Sequence, residues 1–301
     1  MNNKLTKIDS NYPVEEIYSF RESGYIKTVV NSLIANLSND YELYLYFQLS
    51  KWKGADLTIS STDKKKIVLC VGDESWDVSY SFLNKVDYIF RTYLPEHLHN
   101  QGKLNHLAVG PSAQFAGEEV KDFASRRYNV FFSGNLHLGR ANLYRSLTGA
   151  WVLPFFLLHR VKKLLGVNFD SVFPSSIIRF STGFHNGIQP DEYAKLMQDS
   201  KISLCPGGVE SPETMRHFES ARLGNIVISE QLPAVPVYQN APFVFLSSWR
   251  ELHKTVKSLL AEPNRMLDLH HQTLDWWHTQ ASAEATAAVI RQIVLAGKKL
   301  K

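Results

Sequence analysis

KISLCPGGVESPETMRHFESARLGNIVIS, residues 201–229, decides how this chain is read. The apolar run from Ile202 to Cys205 is strand-like and is stopped by Pro206. Gly207 and Gly208 follow, residues that accept positive φ and let a ligand approach the backbone closely. Ser211 is a good N-cap, Pro212 suits the first helical position, and Glu213 and Thr214 fill the first turn. A helix is therefore expected from there to Gly224, where a glycine ends it, and NIVIS reads as the next strand. A strand, a glycine loop and a helix N-terminus in succession favour an anion, because amide groups and the helix dipole both point at the loop. In open α/β sheets ligands bind beyond the carboxyl ends of strands, where this loop falls.

Arg216 and Glu219 lie three positions apart on one face of that helix. Two readings stand open. The planar fork of Arg216 suits a phosphate, and Glu219 would accept hydrogen bonds from ribose or sugar hydroxyls. Alternatively Glu213, Arg216, Glu219 and Arg222 form a ladder of surface pairs worth ~0.2–0.5 kcal/mol each. A second unit of the same kind is YNVFFSGNLHLGRANLYRSL, residues 128–147, a strand ending near Gly134 with Arg140 and Arg145 behind it. Two such units in one domain suit a pyrophosphate; the plainer reading has Gly134 making a turn and Arg145 solvated. A third glycine-rich loop, STGFHNGIQPDEY at 181–193, carries His185 either towards a ligand or as a packed or exposed histidine.

In the N-terminal half, KIVLCVGDES at 66–75 reads as a buried strand opening into Asp73, Glu74 and Asp77 beside Trp76. A carboxylate there would serve as general base towards a sugar hydroxyl, with Trp76 stacking on the acceptor ring. The alternative is that Asp73 or Ser75 caps the next helix.

Of the 301 residues 44% are apolar and 21% charged, the values of a folded globular protein rather than a disordered or membrane-embedded one. The net charge of +4 is too mild and dispersed for a nucleic-acid groove and compatible with anionic ligands or an anionic membrane surface. Cys70 and Cys205 each sit in an apolar run and read as buried thiols, without metal-ligand spacing. The most apolar window, WVLPFFLLHRVKKLLGV at 151–167, is broken by Pro154 and by Arg160, Lys162 and Lys163, and falls short of the about 20 residues a bilayer span requires. The opening residues show no apolar run, so a cytoplasmic protein is expected, with peripheral contact at the membrane face compatible.

Strand-like runs alternate with helical patterns along most of the chain, which implies parallel sheets covered by helices. The expected organisation is an N-terminal domain over 1–125, a C-terminal domain over 126–275, and a helix over 276–301 packing back on the first. The charged stretch 116–127, of helical character, is the expected linker.

Residues from about 127 to 245 resemble the exostosin-like family of glycosyltransferases, in a form of the bacterial surface-polysaccharide type. The likeness rests on RYNVFFSGN with Arg140 and Arg145, and on Cys205, Pro206, Gly207, Ser211, Arg216, Glu219, Gly224 and Pro242–Phe243. The resemblance implies an α/β protein of GT-B architecture: two Rossmann-like domains facing across a cleft, the C-terminal one holding a nucleotide-sugar. By carry-over Arg216 and Arg145 would hold the diphosphate and Glu219 the ribose, with Gly134, Arg140, His185, Gly207, Gly208 and Ser211 around them. Such enzymes usually use no catalytic metal, and no Asp-x-Asp motif occurs here, so no cofactor is expected beyond the nucleotide-sugar co-substrate. Two glutamates eight apart, found near this helix in some retaining enzymes, are absent: the positions eight from Glu219 are Val227 and Ser211. The expected activity is thus inverting transfer of a sugar to a bacterial surface glycan, free or lipid-linked, such as O-antigen, capsule or lipopolysaccharide core, with no nucleic-acid partner. A non-catalytic glycan- or nucleotide-binding relative and a GT-B-shaped nucleotide-sugar epimerase are the alternatives.

Overall fold

The computed structural model describes residues 8–10, 23–48, 56–72, 74, 80–99, 102–115, 119–165, 167–181 and 187–297. The chain forms two compact units. The first comprises Met1–Ala113, Pro233–Gln239 and Thr279–Lys301, and the second Gln114–Leu232 and Asn240–His278.

The first unit is built on five parallel strands, β1 (Ile8–Ser10), β2 (Tyr41–Gln48), β3 (Lys65–Gly72), β4 (Tyr88–Arg91) and β5 (Leu104–His106), in the order β1-β2-β3-β4-β5. The six residues from Lys66 to Val71 in β3 are all buried, as a central parallel strand covered on both faces requires. Helix α1 (Ser23–Asn36) packs against the C-terminal helix of the chain. There Tyr25 donates from its hydroxyl to the Ala281 carbonyl at 2.9 Å and pairs with Thr286 Oγ1 at 2.6 Å.

The second unit carries β6 (Tyr128–Asn135), β7 (Ser176–Ser181), β8 (Ser200–Cys205), β9 (Ile226–Ser229) and β10 (Val244–Phe245), all parallel. Their order is β10-β9-β8-β6-β7. Alternating residues of β6 enter different cores. Phe132 packs with Tyr144, Phe180, Leu204 and Trp249, whereas Phe131 packs with Phe115, Ala194, Met197 and Leu223. Burying a side chain of this size stabilises by about 1.5–3 kcal/mol, and both faces of the sheet are filled in this way. The covering helices are α2 (Ala141–Thr148), α3 (Phe155–Leu165), α4 (Pro190–Gln198), α5 (Met215–Arg222), α6 (Leu252–Ala261) and α7 (Pro263–Trp276). A π-helical turn, Trp277–Ala281, then leads to α8 (Ala283–Ala296), capped by Ser282, whose hydroxyl accepts from the Ala285 N–H at 3.2 Å.

The stretch 119–127 is not helical. Asp122 accepts from the Ser125 N–H at 2.9 Å, folding a local turn that competes with helix. Buried Arg126 then donates to the carbonyls of Leu223 at 2.6 Å and Ser200 at 3.0 Å, anchoring the segment to the sheet. Among the described residues no helix is long and apolar enough to cross a membrane.

The topology fixes where a ligand would go in the second unit. From β6 the chain runs to β7 on one side, then returns to β8 on the other. The carboxyl ends of β6 and β8 therefore flank a switch point, the position at which open α/β sheets leave a crevice.

Candidate functional site

Two glycine loops meet at this point. A Cβ on Gly139, in the turn after β6, would lie 2.0 Å from the carbonyl oxygen of Gly208, so this backbone contact requires glycine. Within the β8–α5 loop the Gly208 N–H donates to the Ser211 carbonyl at 2.7 Å, and the Glu213 N–H donates to Ser211 Oγ at 3.1 Å. The Glu230 carboxylate, just past β9, lies near Gly207; burial raises the Glu230 pKa, and the nearby Gly207 N–H partly opposes the rise. The Gly208 amide, one of the two expected to receive an anion, is thus engaged inside the protein.

The helix also begins later than its sequence implies. Helix α5 starts at Met215 with Thr214 as N-cap, whereas Ser211 shapes the loop and Pro212 precedes the helix. His217 closes the cap: the Thr214 N–H donates to its Nδ1 at 3.2 Å, and its Nε2 lies 2.8 Å from Ser229 Oγ. Burial pushes the His217 pKa down to about 4, in keeping with a neutral ring whose Nε2–H faces the serine.

Arg216 and Glu219 are not a surface pair. They are 8% and 5% exposed, and Tyr193 of α4 connects them. Arg216 Nε donates to the Tyr193 hydroxyl at 3.1 Å, and that hydroxyl lies 3.3 Å from Glu219 Oε2. Arg216 Nη2 donates to the Ser133 carbonyl at 2.7 Å, and its guanidinium stacks 5.0 Å above the ring of Phe132. Burial works against the Arg216 charge, but Tyr193, Cys205 and Glu219 more than offset it and raise its pKa. Its Nη1 is buried and has no hydrogen-bond partner. A buried guanidinium nitrogen without an acceptor costs free energy that a bound anion would recover.

Arg140 converges on the same place. Its Nη1 donates to the Asn135 carbonyl at 3.0 Å, and a Cβ on Gly134 would lie 2.6 Å from that Nη1 and 3.2 Å from Arg216 Nη2. Glycine at 134 leaves room for two guanidinium groups side by side. Like charges this close repel by an amount on the order of a few kcal/mol in a partly buried setting, which an anion would reverse.

The remaining expected residues are placed as follows. Arg145 donates to Asn142 Oδ1 at 2.8 Å and to the Leu153 carbonyl at 3.0 Å, and its Nε is buried without a hydrogen-bond partner. Glu74 lies in the first unit, just beyond the carboxyl end of β3. Asp73, Trp76, Asp77 and His185 lie outside the described residues. Burial pushes the thiols of Cys70 and Cys205 up to about 12, so both are packing residues rather than nucleophiles. Tyr193, His137 and Glu230 belong to the site and were not singled out in the sequence. His137 stands in SGNLHLGR between Gly134 and Arg140, and its pKa is pushed down to about 4 by burial, then by Arg140 and Arg216.

No family model matches the sequence, and no curated protein matches it. Solved structures do resemble it. HepE of Anabaena, in complex with UDP and glucose, superposes with a TM-score of 0.50 at 10% identity, over 96% of this chain and 86% of that one. The fold is GT-B. Also similar are the GtfA/B complex (TM-score 0.49, 12% identity, 92% of this chain) and WaaG, a glycosyltransferase involved in lipopolysaccharide biosynthesis (TM-score 0.46, 10% identity, 94% of this chain). The chain spans 60% of the GtfA/B chain and 99% of the WaaG chain. At these identities the likeness speaks to the GT-B fold alone.

Proposed function

We propose that this protein is a glycosyltransferase whose second unit binds a nucleotide-sugar by its diphosphate. One observation carries the reading: Arg140 and Arg216 meet at Gly134 beyond the switch point, with the buried Arg216 Nη1 lacking an acceptor. Two fixed guanidinium groups would suit the oxygens of a diphosphate, and Glu219, held beside Tyr193, would accept from ribose hydroxyls. The exostosin-like spacing of Arg216 and Glu219 supports the assignment, as does the HepE structure, which holds UDP and glucose.

In the proposed reaction the acceptor hydroxyl loses its proton to a carboxylate of the Asp73, Glu74 and Asp77 group and attacks the anomeric carbon. A new C–O bond forms there as the bond to the diphosphate breaks, and the electron pair leaves on the diphosphate oxygen. Arg140 and Arg216 stabilise that charge without calling on a metal. A single displacement of this kind inverts the anomeric centre. The acceptor we infer is a bacterial surface glycan, free or lipid-linked, met at the cytoplasmic face of the membrane. Val152 and Phe156, 92% and 71% exposed at the start of α3, would suit contact with that surface.

The test is a calorimetric and turnover screen of UDP-, GDP-, CDP- and ADP-sugars against wild-type and Arg216→Gln protein. Binding and transfer by the wild type, both lost in the variant with the melting curve retained, is the expected result. Equal turnover by the two proteins would remove the donor site from this place.

A further inference from the structure

The loop that carries Arg140 holds one more group suited to an anion. His137 lies two residues past the end of β6, and its carbonyl accepts from the Arg140 N–H at 3.0 Å. Its Nδ1 is buried and has no hydrogen-bond partner, as Arg216 Nη1 has none. Arg140 from its own segment and Arg216 from α5 are the charges that act on it; Glu219 and Tyr193 stand behind Arg216. Two cations and an imidazole thus act on one another in this corner of the second unit, with Glu219 linked to Arg216 through Tyr193.

We propose that His137 is a third member of the anion cradle, its ring hydrogen-bonding a phosphate oxygen of the bound diphosphate alongside Arg140 and Arg216. The inference rests on the donor reading above. Without an anion, burial and then the two guanidinium groups keep the ring neutral. Entry of a diphosphate reverses the local field, so the ring takes a proton from solvent and holds it at the phosphate. No bond to the substrate forms or breaks in this step. Its chemical consequence is a third positive charge, present when the diphosphate is bound, where negative charge grows as the sugar departs. His137 is therefore assigned as a donor-binding residue whose charge follows occupancy.

The experiment is a histidine NMR titration of the full-length protein, with the His137 signal assigned by its loss in His137→Gln. It is run in sodium chloride, in sodium sulfate of equal ionic strength, and in UDP-glucose. Neither sulfate nor the diphosphate of UDP-glucose titrates in the range scanned, so any proton taken up belongs to the protein. The expected result is a His137 midpoint higher by about 1 pH unit or more with sulfate or UDP-glucose than with chloride. Calorimetry of UDP-glucose near pH 5.5 in buffers of different ionisation enthalpy should likewise show proton uptake in the wild type and its loss in His137→Gln. Shifted arginine Nε signals with an unmoved His137 midpoint would overturn the role of His137 and leave the donor reading standing. If neither anion moves the arginine signals, the cradle is no anion site, and the inference falls with the donor reading.

Discussion

Gly139 and Gly208 are in backbone contact, so the β6–α2 and β8–α5 loops form one structure rather than two neighbouring turns. The obstacle to a side chain at 139 is a carbonyl oxygen, which cannot swing aside as a long side chain would. Gly139→Ala should therefore cost about 1–3 kcal/mol and weaken nucleotide-sugar binding by separating Arg140 from Arg216. Urea melts and calorimetry on the same preparation check both; unchanged stability would mean the loops part without strain.

Arg216→Lys tests the geometry of the clamp rather than its charge. Lysine keeps the cation but cannot reach Tyr193, the Ser133 carbonyl and a ligand together. We expect kcat/KM to fall by about 10²-fold or more, an effect comparable with losing one transition-state hydrogen-bond donor. Steady-state kinetics with a melting curve as control decide it.

Arg145→Ala should behave differently. Its partners are Asn142 and the Leu153 carbonyl, so the loss falls on the loop after α2. A drop in stability of about 1 kcal/mol with donor affinity held within about 3-fold is expected. A large loss of affinity instead would restore Arg145 to the diphosphate.

Tyr193→Phe removes the hydroxyl joining Arg216 to Glu219 while keeping the ring that packs on Phe131 at 5.2 Å. Stability should fall by about 1–2 kcal/mol, since buried polar groups lose a partner. Donor affinity should fall as well, whereas a purely structural tyrosine would leave it unchanged in the folded fraction.

The pH dependence of stability follows from His217. Its folded pKa, about 4, lies below the ordinary value of 6.5, so between these the unfolded chain binds more protons. The stabilisation is present above pH 6.5 and is lost as the pH falls towards 4. Its slope approaches about 1.4 kcal/mol per pH unit in that window. Urea melts from pH 7 to pH 4, compared with His217→Gln, should show a shallower dependence in the variant.

The parts of this site that follow from local chemistry were legible in the sequence. YNVFFSGN and KISLC are β6 and β8 because apolar runs ending at glycine or proline leave few alternatives to a buried strand. The helix start was misplaced because Ser211–Pro212 is the stronger local signal, while the Thr214–His217 cap uses a histidine outside the usual Glu or Gln pattern. Residues 119–127 carry helix-forming charges, yet Asp122 makes a turn and Arg126 is drawn to carbonyls 74 and 97 positions away, beyond any local pattern. Tyr193 was invisible for the same reason: its link to Arg216 spans 23 positions and exists only once α4 and α5 lie beside β6. The partners of Arg145 were equally unreadable, since the spacing of residues on a helix does not reveal which loop carbonyl faces it.

The first unit is assembled from three separate lengths of chain, the last being Thr279–Lys301. During synthesis its sheet emerges first, but α8, which packs on α1 and carries Thr286, a partner of the Tyr25 hydroxyl, emerges only after the second unit. The second unit, ending at His278, can be complete while the first still lacks a helix. The order of translation is thus the reverse of the order of completion. A chain stalled or clipped near residue 280 would carry a finished second unit and an unfinished first one, so a C-terminal truncation should damage the N-terminal unit.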